Sequence, residues 1–179
     1  MKKALLIIDV QNDYFPGGSM ELVGSEEAAK NTSDILEKCR KRRIPVIYMQ
    51  HIADKNASFF LPKTKGVEIH SLVKPKRKDK IFQKKFPNSF RDTKLHKYLK
   101  QKKIKELIIC GMMTHMCVDT TVRAAYDLGY NCTLIGDACA TRDLEFENRM
   151  IAAKNVQGSF LSALDSTFAN IMYTKYFEV

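Results

Sequence analysis

Short apolar runs separated by helical stretches are the feature that most restricts the fold of this chain. The first run, Ala4 to Val10, is interrupted only by Asp9 and leads into polar and turn residues. Such a run is typical of a strand buried on both faces of a sheet. An amphipathic helical pattern follows from about Ser25 through Arg43, and a second short run covers Val46 to Met49. This alternation predicts parallel strands joined by helical crossovers.

The rest of the chain continues the pattern. Further strands are predicted at Ile81 and Phe82, Leu107 to Cys110, Cys132 to Ile135 and Ala169 to Tyr173. Helices are predicted over Thr93 to Gln101, about His115 to Leu128, and from about Asp143 through Leu164, with a long loop over His51 to Val73. We therefore expect an α/β fold of three layers (αβα, Rossmann-like), with a parallel sheet of about six strands. The 179 residues fit one domain over 1–179.

Composition places the protein among ordinary globular proteins. Hydrophobic residues make up 45% and charged residues 28%, which disfavours disorder. The apolar opening Ala4 to Ile8 is too short for a signal-peptide core or a membrane span. The five cysteines form no CxxC pair, so reduced thiols are expected and a thiol-exchange protein is disfavoured. These features predict a cytoplasmic protein without a membrane partner.

The net charge of +10 is concentrated in one segment. Lys74 to Lys105 contains 14 basic residues and only Asp79 and Asp92 as acids, which gives +12 and leaves −2 for the remainder. One alternative is therefore a non-enzymatic, nucleic-acid-binding module that uses this segment. Because the segment has few aromatic residues and no known nucleic-acid motif, a solvated surface without a nucleic-acid partner is favoured.

Polar residues follow several predicted strands at the point where each strand ends. They are Asp9, Lys84, the turn Gly111 to Cys117, and Gly136 with Asp137. Ligands of open parallel sheets bind beyond the carboxyl ends of the strands. The sequence therefore predicts a functional site at this edge.

Within that edge, Cys117 is predicted to lie in the first turn of a helix. The N–H groups and dipole of a helix start lower the pKa of a thiol, and the same N–H groups can hold an oxyanion. Asp9 is placed to take the thiol proton and later return it to a leaving group. Lys84 supplies compensating positive charge.

Three segments together carry a family resemblance. They are Leu6 to Phe15 (LIIDVQNDYF), Lys84 to Thr93 (KKFPNSFRDT) and Gly111 to Ala125 (GMMTHMCVDTTVRAA). In this order the chain resembles the isochorismatase-like cysteine hydrolases, which include nicotinamidases, N-carbamoylsarcosine amidases and ureidoacrylate-type amidohydrolases. The resemblance extends nearly from end to end.

The resemblance implies a catalytic set of Asp9, Lys84 and Cys117, with Lys85 as the neighbouring alternative to Lys84. It also implies a cis peptide bond between Met112 and Met113. The backbone N–H groups of Met113 and Cys117 would form the oxyanion hole. The implied reaction proceeds through a thioester on Cys117, with Asp9 as the acid and base.

The metal pattern of the nicotinamidases is broken here. Those proteins usually hold a metal with an aspartate and a histidine two residues later; His51 matches the histidine, but Met49 stands at the aspartate position. Because a thioether is a poor ligand for such an ion, we expect no metal and no cofactor. A structural or substrate-side role is then favoured for His70.

The expected enzyme hydrolyses a carbon–nitrogen bond, other than a peptide bond, in a small amide, ureide or lactam. Cys117 favours this over the vinyl ether hydrolysis of isochorismatases, in which the cysteine is often absent. Nicotinamide and an isochorismate-like vinyl ether remain alternative substrates. Phe15, Phe59 and Phe60 are candidate pocket residues. The resemblance further implies a homodimer or homotetramer.

Overall fold

A six-stranded parallel sheet forms the centre of the protein. The computed structural model describes residues 1–178. Its strands are β1 (Lys2–Ile8), β2 (Val46–His51), β3 (Lys80–Lys84), β4 (Ile104–Met112), β5 (Asn131–Ala140), β6 (Leu144–Phe146), β7 (Arg149–Ile151) and β8 (Asn170–Met172). The order in the main sheet is β3-β2-β1-β4-β5-β8, and every neighbouring pair is parallel. Strands β6 and β7 form a separate antiparallel hairpin.

Helices cover both faces of this sheet. They are α1 (Ser25–Lys41), α2 (Leu95–Gln101), α3 (Asp119–Asp127) and α4 (Ala153–Leu164). Apolar side chains of α1 belong to one buried cluster, whereas those of α2, α3 and α4 belong to a second cluster on the opposite face. The predicted three-layer α/β fold with six parallel strands is thus confirmed.

The apolar run in β1 is explained by these two clusters. Leu5 and Ile7 point into the α1 cluster, while Leu6 and Ile8 point into the other. All four side chains are buried. A central parallel strand needs apolar residues on both faces, which is why the run does not alternate with polar residues.

The predicted helix from Asp143 through Leu164 is wrong in nearly its first half, because α4 begins only at Ala153. The hairpin of β6 and β7 occupies that part, and its turn residues Glu147 and Asn148 have φ of +49° and +59°, which a helix does not allow. Asp143 nevertheless caps the shorter helix, because its Oδ1 accepts the N–H of Ala153 at 2.7 Å. The capping residue is therefore separated from the helix by the whole hairpin.

Other boundaries also differ from the sequence prediction. Gly136 and Asp137 lie inside β5 rather than after it, and Lys84 is the last residue of β3. The stretch after β2 is irregular as predicted, apart from a short 3₁₀ turn at Ser71–Val73. None of the helices within residues 1–178 has the length and apolar character needed to cross a membrane.

Close approach of β1 and β4 depends on Gly111. Its φ is +136°, and a Cβ at this position would collide with the backbone of Ile8, including the carbonyl oxygen. Gly111 is paired with Ile8 in the sheet, immediately before Asp9. Glycine is therefore required here by both conformation and space.

We expect Gly111→Ala to lower the free energy of unfolding by about 2 kcal/mol or more, because the strained backbone and the clash both oppose folding. Urea unfolding followed by circular dichroism measures this change. The matched control is Gly158→Ala in α4, where a Cβ meets nothing within 4 Å; it should stabilise by roughly 0.5–1 kcal/mol. Equal effects of the two substitutions would contradict this account.

Candidate active site

Four neighbouring strands bring the candidate residues together at the carboxyl edge of the sheet. Asp9 follows β1, His51 ends β2, Lys84 ends β3, and Cys117 lies in the turn after β4. Strand register places His51 directly beside Lys84. The predicted convergence is confirmed for Asp9, Lys84 and Cys117, although the sequence did not place His51 among them. It is wrong for Gly136 and Asp137, which lie inside β5, where Asp137 Oδ1 accepts the N–H and the hydroxyl of Thr174.

The ammonium group of Lys84 is the centre of the cluster. Its Nζ lies 2.7 Å from Asp9 Oδ2 and donates to Cys117 Sγ at 3.2 Å. It also lies 3.2 Å from His51 Nδ1 and donates to the carbonyl oxygen of Phe86 at 3.1 Å. The Lys84 side chain has no solvent exposure. Four acceptors thus surround three N–H bonds, which compensates the burial of this charge.

Local backbone geometry holds Asp9 in place. The residue follows β1 with a φ of +49°, and its N–H donates to the Met49 carbonyl at 3.1 Å. Its carboxyl group is fully buried. Within residues 1–178 no donor bonds to Oδ1, so one oxygen of Asp9 remains free to accept a proton.

The expectation of a lowered thiol pKa at Cys117 is wrong. Burial raises the pKa of this thiol, the nearby Asp9 carboxylate raises it further, and the Lys84 ammonium opposes both. Regular α-helix begins only at Asp119, because Thr114–Val118 forms a π-helical turn. Loss of solvation therefore outweighs the helix start, and the sulfur is a thiol at neutral pH until a base takes its proton.

The pKa of Lys84 reflects the opposite balance. Burial alone lowers the pKa of the ammonium group, but Asp9 and Cys117 raise it, and the result lies above the ordinary value. Lys84 therefore remains positively charged at neutral pH. Its positive charge lowers the pKa of the Cys117 thiol, against the effects of burial and of Asp9.

A divalent cation does not fit this cluster while Lys84 is in place. Oxygen, nitrogen and sulfur atoms of Asp9, His51 and Cys117 lie within 4.8 Å of one another, a separation that suits a shared metal. The Lys84 ammonium, however, already contacts all three groups. Met49, the residue at the position where the resemblance led us to look for a metal-binding aspartate, is buried in the apolar cluster.

His51 contacts the cluster in its neutral form. Burial lowers the pKa of the imidazole; the Asp9 carboxylate raises it, and the Lys84 ammonium lowers it. Since Lys84 has no lone pair to offer, Nδ1 of His51 accepts the hydrogen bond.

Gln11 and Tyr14 are residues that the sequence analysis missed. The Gln11 amide bonds both the N–H and the carbonyl of His51, at 2.7 and 2.9 Å, and thereby fixes the end of β2. Tyr14 is buried beside the cluster, and burial, Cys117 and Asp9 all raise the pKa of its hydroxyl. The polar residues directly after β1 were the available signal.

The segment before α3 forms a closed turn that begins at Met113 and carries Cys117. The peptide bond between Met112 and Met113 is cis. The carbonyl oxygen of Met113 accepts the N–H groups of Met116 and Val118 at 3.1 and 3.2 Å, which closes the turn that carries Cys117.

The aromatic candidates differ in exposure. Phe60 is fully buried against Tyr14, with ring centroids 4.6 Å apart, whereas Phe59 is partly exposed. Phe15 is buried and stacks on His70 with centroids 3.7 Å apart. His70 Nδ1 accepts the N–H of Leu72, so this histidine organises its own loop.

The other four cysteines and His115 have contacts outside the cluster of Asp9, Lys84 and Cys117. Cys39, Cys110, Cys132 and Cys139 are all buried free thiols, and Cys139 lies within β5 rather than in a loop. His115 Nδ1 lies 2.5 Å from the hydroxyl of Thr141.

Comparison with known proteins agrees with this arrangement. A family model described as the isochorismatase domain matches residues 3–167. The chain is 46% identical over 178 residues to the isochorismatase family protein YddQ of Bacillus subtilis, covering 99% of both chains. It is 27% identical to the nicotinamidase of Escherichia coli, over 76% of this chain and 82% of that one. The protein therefore belongs to the isochorismatase family of hydrolases.

A solved structure agrees in fold as well. The isochorismatase-type hydrolase of Oleispira antarctica superimposes with a TM-score of 0.94 at 44% identity, covering 97% of this chain and 94% of that one. The structural comparison thus agrees with the family found from the sequence.

The position of His51 predicts a histidine pKa below 6.5, measurable by NMR titration with assignment from His51→Gln. Its contribution to stability is complete above the unfolded pKa near 6.5 and is lost as the pH falls through the folded value. Lys84→Met should move the His51 pKa upward, since Asp9 then acts without an opposing ammonium. A wild-type value at or above 6.5 would contradict this electrostatic account.

Proposed function

We propose that this protein is a cysteine hydrolase that cleaves a carbon–nitrogen bond of a small amide, ureide or lactam through a thioester on Cys117. The observation that carries the proposal is the Lys84 ammonium, which contacts both Asp9 and Cys117 in a buried cluster. A nucleophile, a base and a fixed positive charge are the groups that covalent acyl transfer needs.

Asp9 is the base in this proposal. Because burial raises the pKa of the Cys117 thiol, the sulfur needs an acceptor for its proton before it can attack. A carboxylate oxygen of Asp9 lies within 4.8 Å of the sulfur, and Oδ1 has no donor within residues 1–178. The carboxylate therefore lies near the sulfur and has a free lone pair for its proton.

Lys84 makes the proton transfer tolerable in a buried site. Before transfer the site holds the Asp9 carboxylate, the Lys84 ammonium and a neutral thiol. After transfer it holds a neutral acid, the same ammonium and a thiolate, so its net charge does not change. The negative charge moves from one partner of the ammonium to another, which avoids creating an uncompensated charge in low dielectric.

The reaction then follows from these positions. The Cys117 thiolate attacks the carbonyl carbon, and the backbone N–H groups of Met113 and Cys117 hold the resulting oxyanion. The amine leaves with the proton from Asp9. Water, activated by the same carboxylate, hydrolyses the thioester, giving a carboxylic acid and ammonia or an amine.

The nucleophile and the relatives both favour an amide-type substrate. A thiol supports acyl transfer, and a relative named as a nicotinamidase belongs to the same family. Nicotinamide itself and an isochorismate-like vinyl ether are the alternative substrates. Among the aromatic candidates Phe15, Phe59 and Phe60, only Phe59 is exposed enough to contact a substrate without rearrangement. A cytoplasmic homodimer or homotetramer remains part of this proposal.

The catalytic roles are tested by ammonia release from a panel of small primary amides, ureides, lactams and nicotinamide. Cys117→Ala and Asp9→Asn should each lower kcat/KM by about a thousandfold or more, because the nucleophile or its base is lost. Lys84→Met should have a comparable effect. The matched control is Lys85→Met, since Lys85 is the adjacent, exposed lysine; its activity should stay within twofold of wild type.

Two further readouts decide between mechanisms. Mass spectrometry of the quenched reaction should show Cys117 acylated with the acid part of a slow substrate. Dialysis against a chelator should leave kcat unchanged. Full activity of Cys117→Ala on an amide, or cleavage of the vinyl ether alone, would overturn the proposed function.

A further inference from the structure

A basic cleft lies on the α1 face of the protein, formed by residues that the proposed reaction does not use. Its volume is about 630 Å³, which is in the range of small-molecule sites. Five of its ten lining residues are cationic. These are Arg40 and Lys41 from α1, and Lys74, Lys76 and Lys78 from the loop that precedes β3.

Hydrogen bonds fix the basic loop against α1. The guanidinium of Arg40 forms a close ion pair with Asp79, whose carboxylate also accepts the N–H of Lys76 at 2.8 Å. Arg40 also donates to the carbonyl oxygen of Lys74 at 3.3 Å. Nε of Arg40 is buried and has no acceptor within residues 1–178. The loop backbone that carries Lys74, Lys76 and Lys78 is thus held in place by these hydrogen bonds.

Positive charge in the cleft is poorly compensated. Glu37 is the only carboxylate among the lining residues, and it is already paired with Lys41 at 2.7 Å. Lys41, and less strongly Lys76, lower the pKa of the Glu37 carboxyl. Within the described part of the chain, the ammonium groups of Lys74, Lys76 and Lys78 have no carboxylate within 4.0 Å. An anion would relieve the repulsion between these lysines.

The rest of the basic segment lies elsewhere. Lys84 is buried in the active site, while Lys100 and Lys105 line a different cleft together with the end of α3. That second cleft adjoins the face covered by α2 and α3, opposite to α1. These three lysines therefore do not contribute to the cleft at α1.

We propose that the cleft formed by α1 and residues 71–78 binds a small anion that carries two or more phosphate groups. Such an anion carries several negative charges within a few ångströms. It therefore suits a cavity of this size that is lined by three lysines without carboxylate partners, on a loop held in place by hydrogen bonds to α1. The site is separate from the cluster of Asp9, Lys84 and Cys117.

The test uses the full chain and sodium triphosphate as the probe, in isothermal titration calorimetry at 50 and 200 mM NaCl. We expect saturable binding of one triphosphate per chain, weaker at the higher salt. The double variant Lys74→Gln/Lys76→Gln should bind about tenfold more weakly. Both side chains are exposed, so the variant should fold, which circular dichroism checks.

The matched control is Lys100→Gln/Lys105→Gln, which removes the same charge from the opposite face and should stay within twofold of wild type. Equal weakening in both variants would show a general effect of net charge and overturn the proposal. Absence of saturable binding at 50 mM NaCl would also overturn it. So would displacement of triphosphate by a single-stranded RNA that binds more tightly.

Discussion

The buried ammonium group of Lys84 is the interaction on which the arrangement of the site depends. A lone charge in this position would cost several kcal/mol of desolvation. Asp9, Cys117, His51 and the Phe86 carbonyl together supply the compensation. Each acceptor comes from a different segment of the chain, so the charge links the ends of several strands. Removing the Asp9 carboxylate would leave the buried ammonium group without an opposite charge.

The same charge supports the proposed role of a buried cysteine as the nucleophile. Burial raises the pKa of all five thiols, and at Cys132 and Cys139 the value reaches about 12. Cys117 differs from the other four because a carboxylate and an ammonium group lie next to its sulfur. In the proposed reaction, the nucleophilicity of Cys117 therefore depends on the Asp9 and Lys84 pair rather than on a helix start.

The parallel sheet supplies the geometry for that pair. Because β3, β2, β1 and β4 are neighbours and run in one direction, the residues at their carboxyl ends converge without any further folding device. Gly111 allows β4 to pass close to Ile8, next to Asp9. Within the basic segment, by contrast, Lys84 is buried in the site, while Lys74 and Lys100 line two different clefts.

The sequence by itself determined the strand and helix alternation, the three-layer fold and the identities of Asp9, Lys84 and Cys117. Apolar periodicity and turn residues predict the alternation and the fold, because both are readable from neighbours in the chain. The three site residues were indicated by their places after predicted strands and by the resemblance to the cysteine hydrolases. The hairpin of β6 and β7, the place of His51 beside Lys84, and the raised pKa of the Cys117 thiol were decided only by the tertiary structure. Each depends on contacts between residues far apart in sequence and on the loss of water around them, and no local pattern records either quantity.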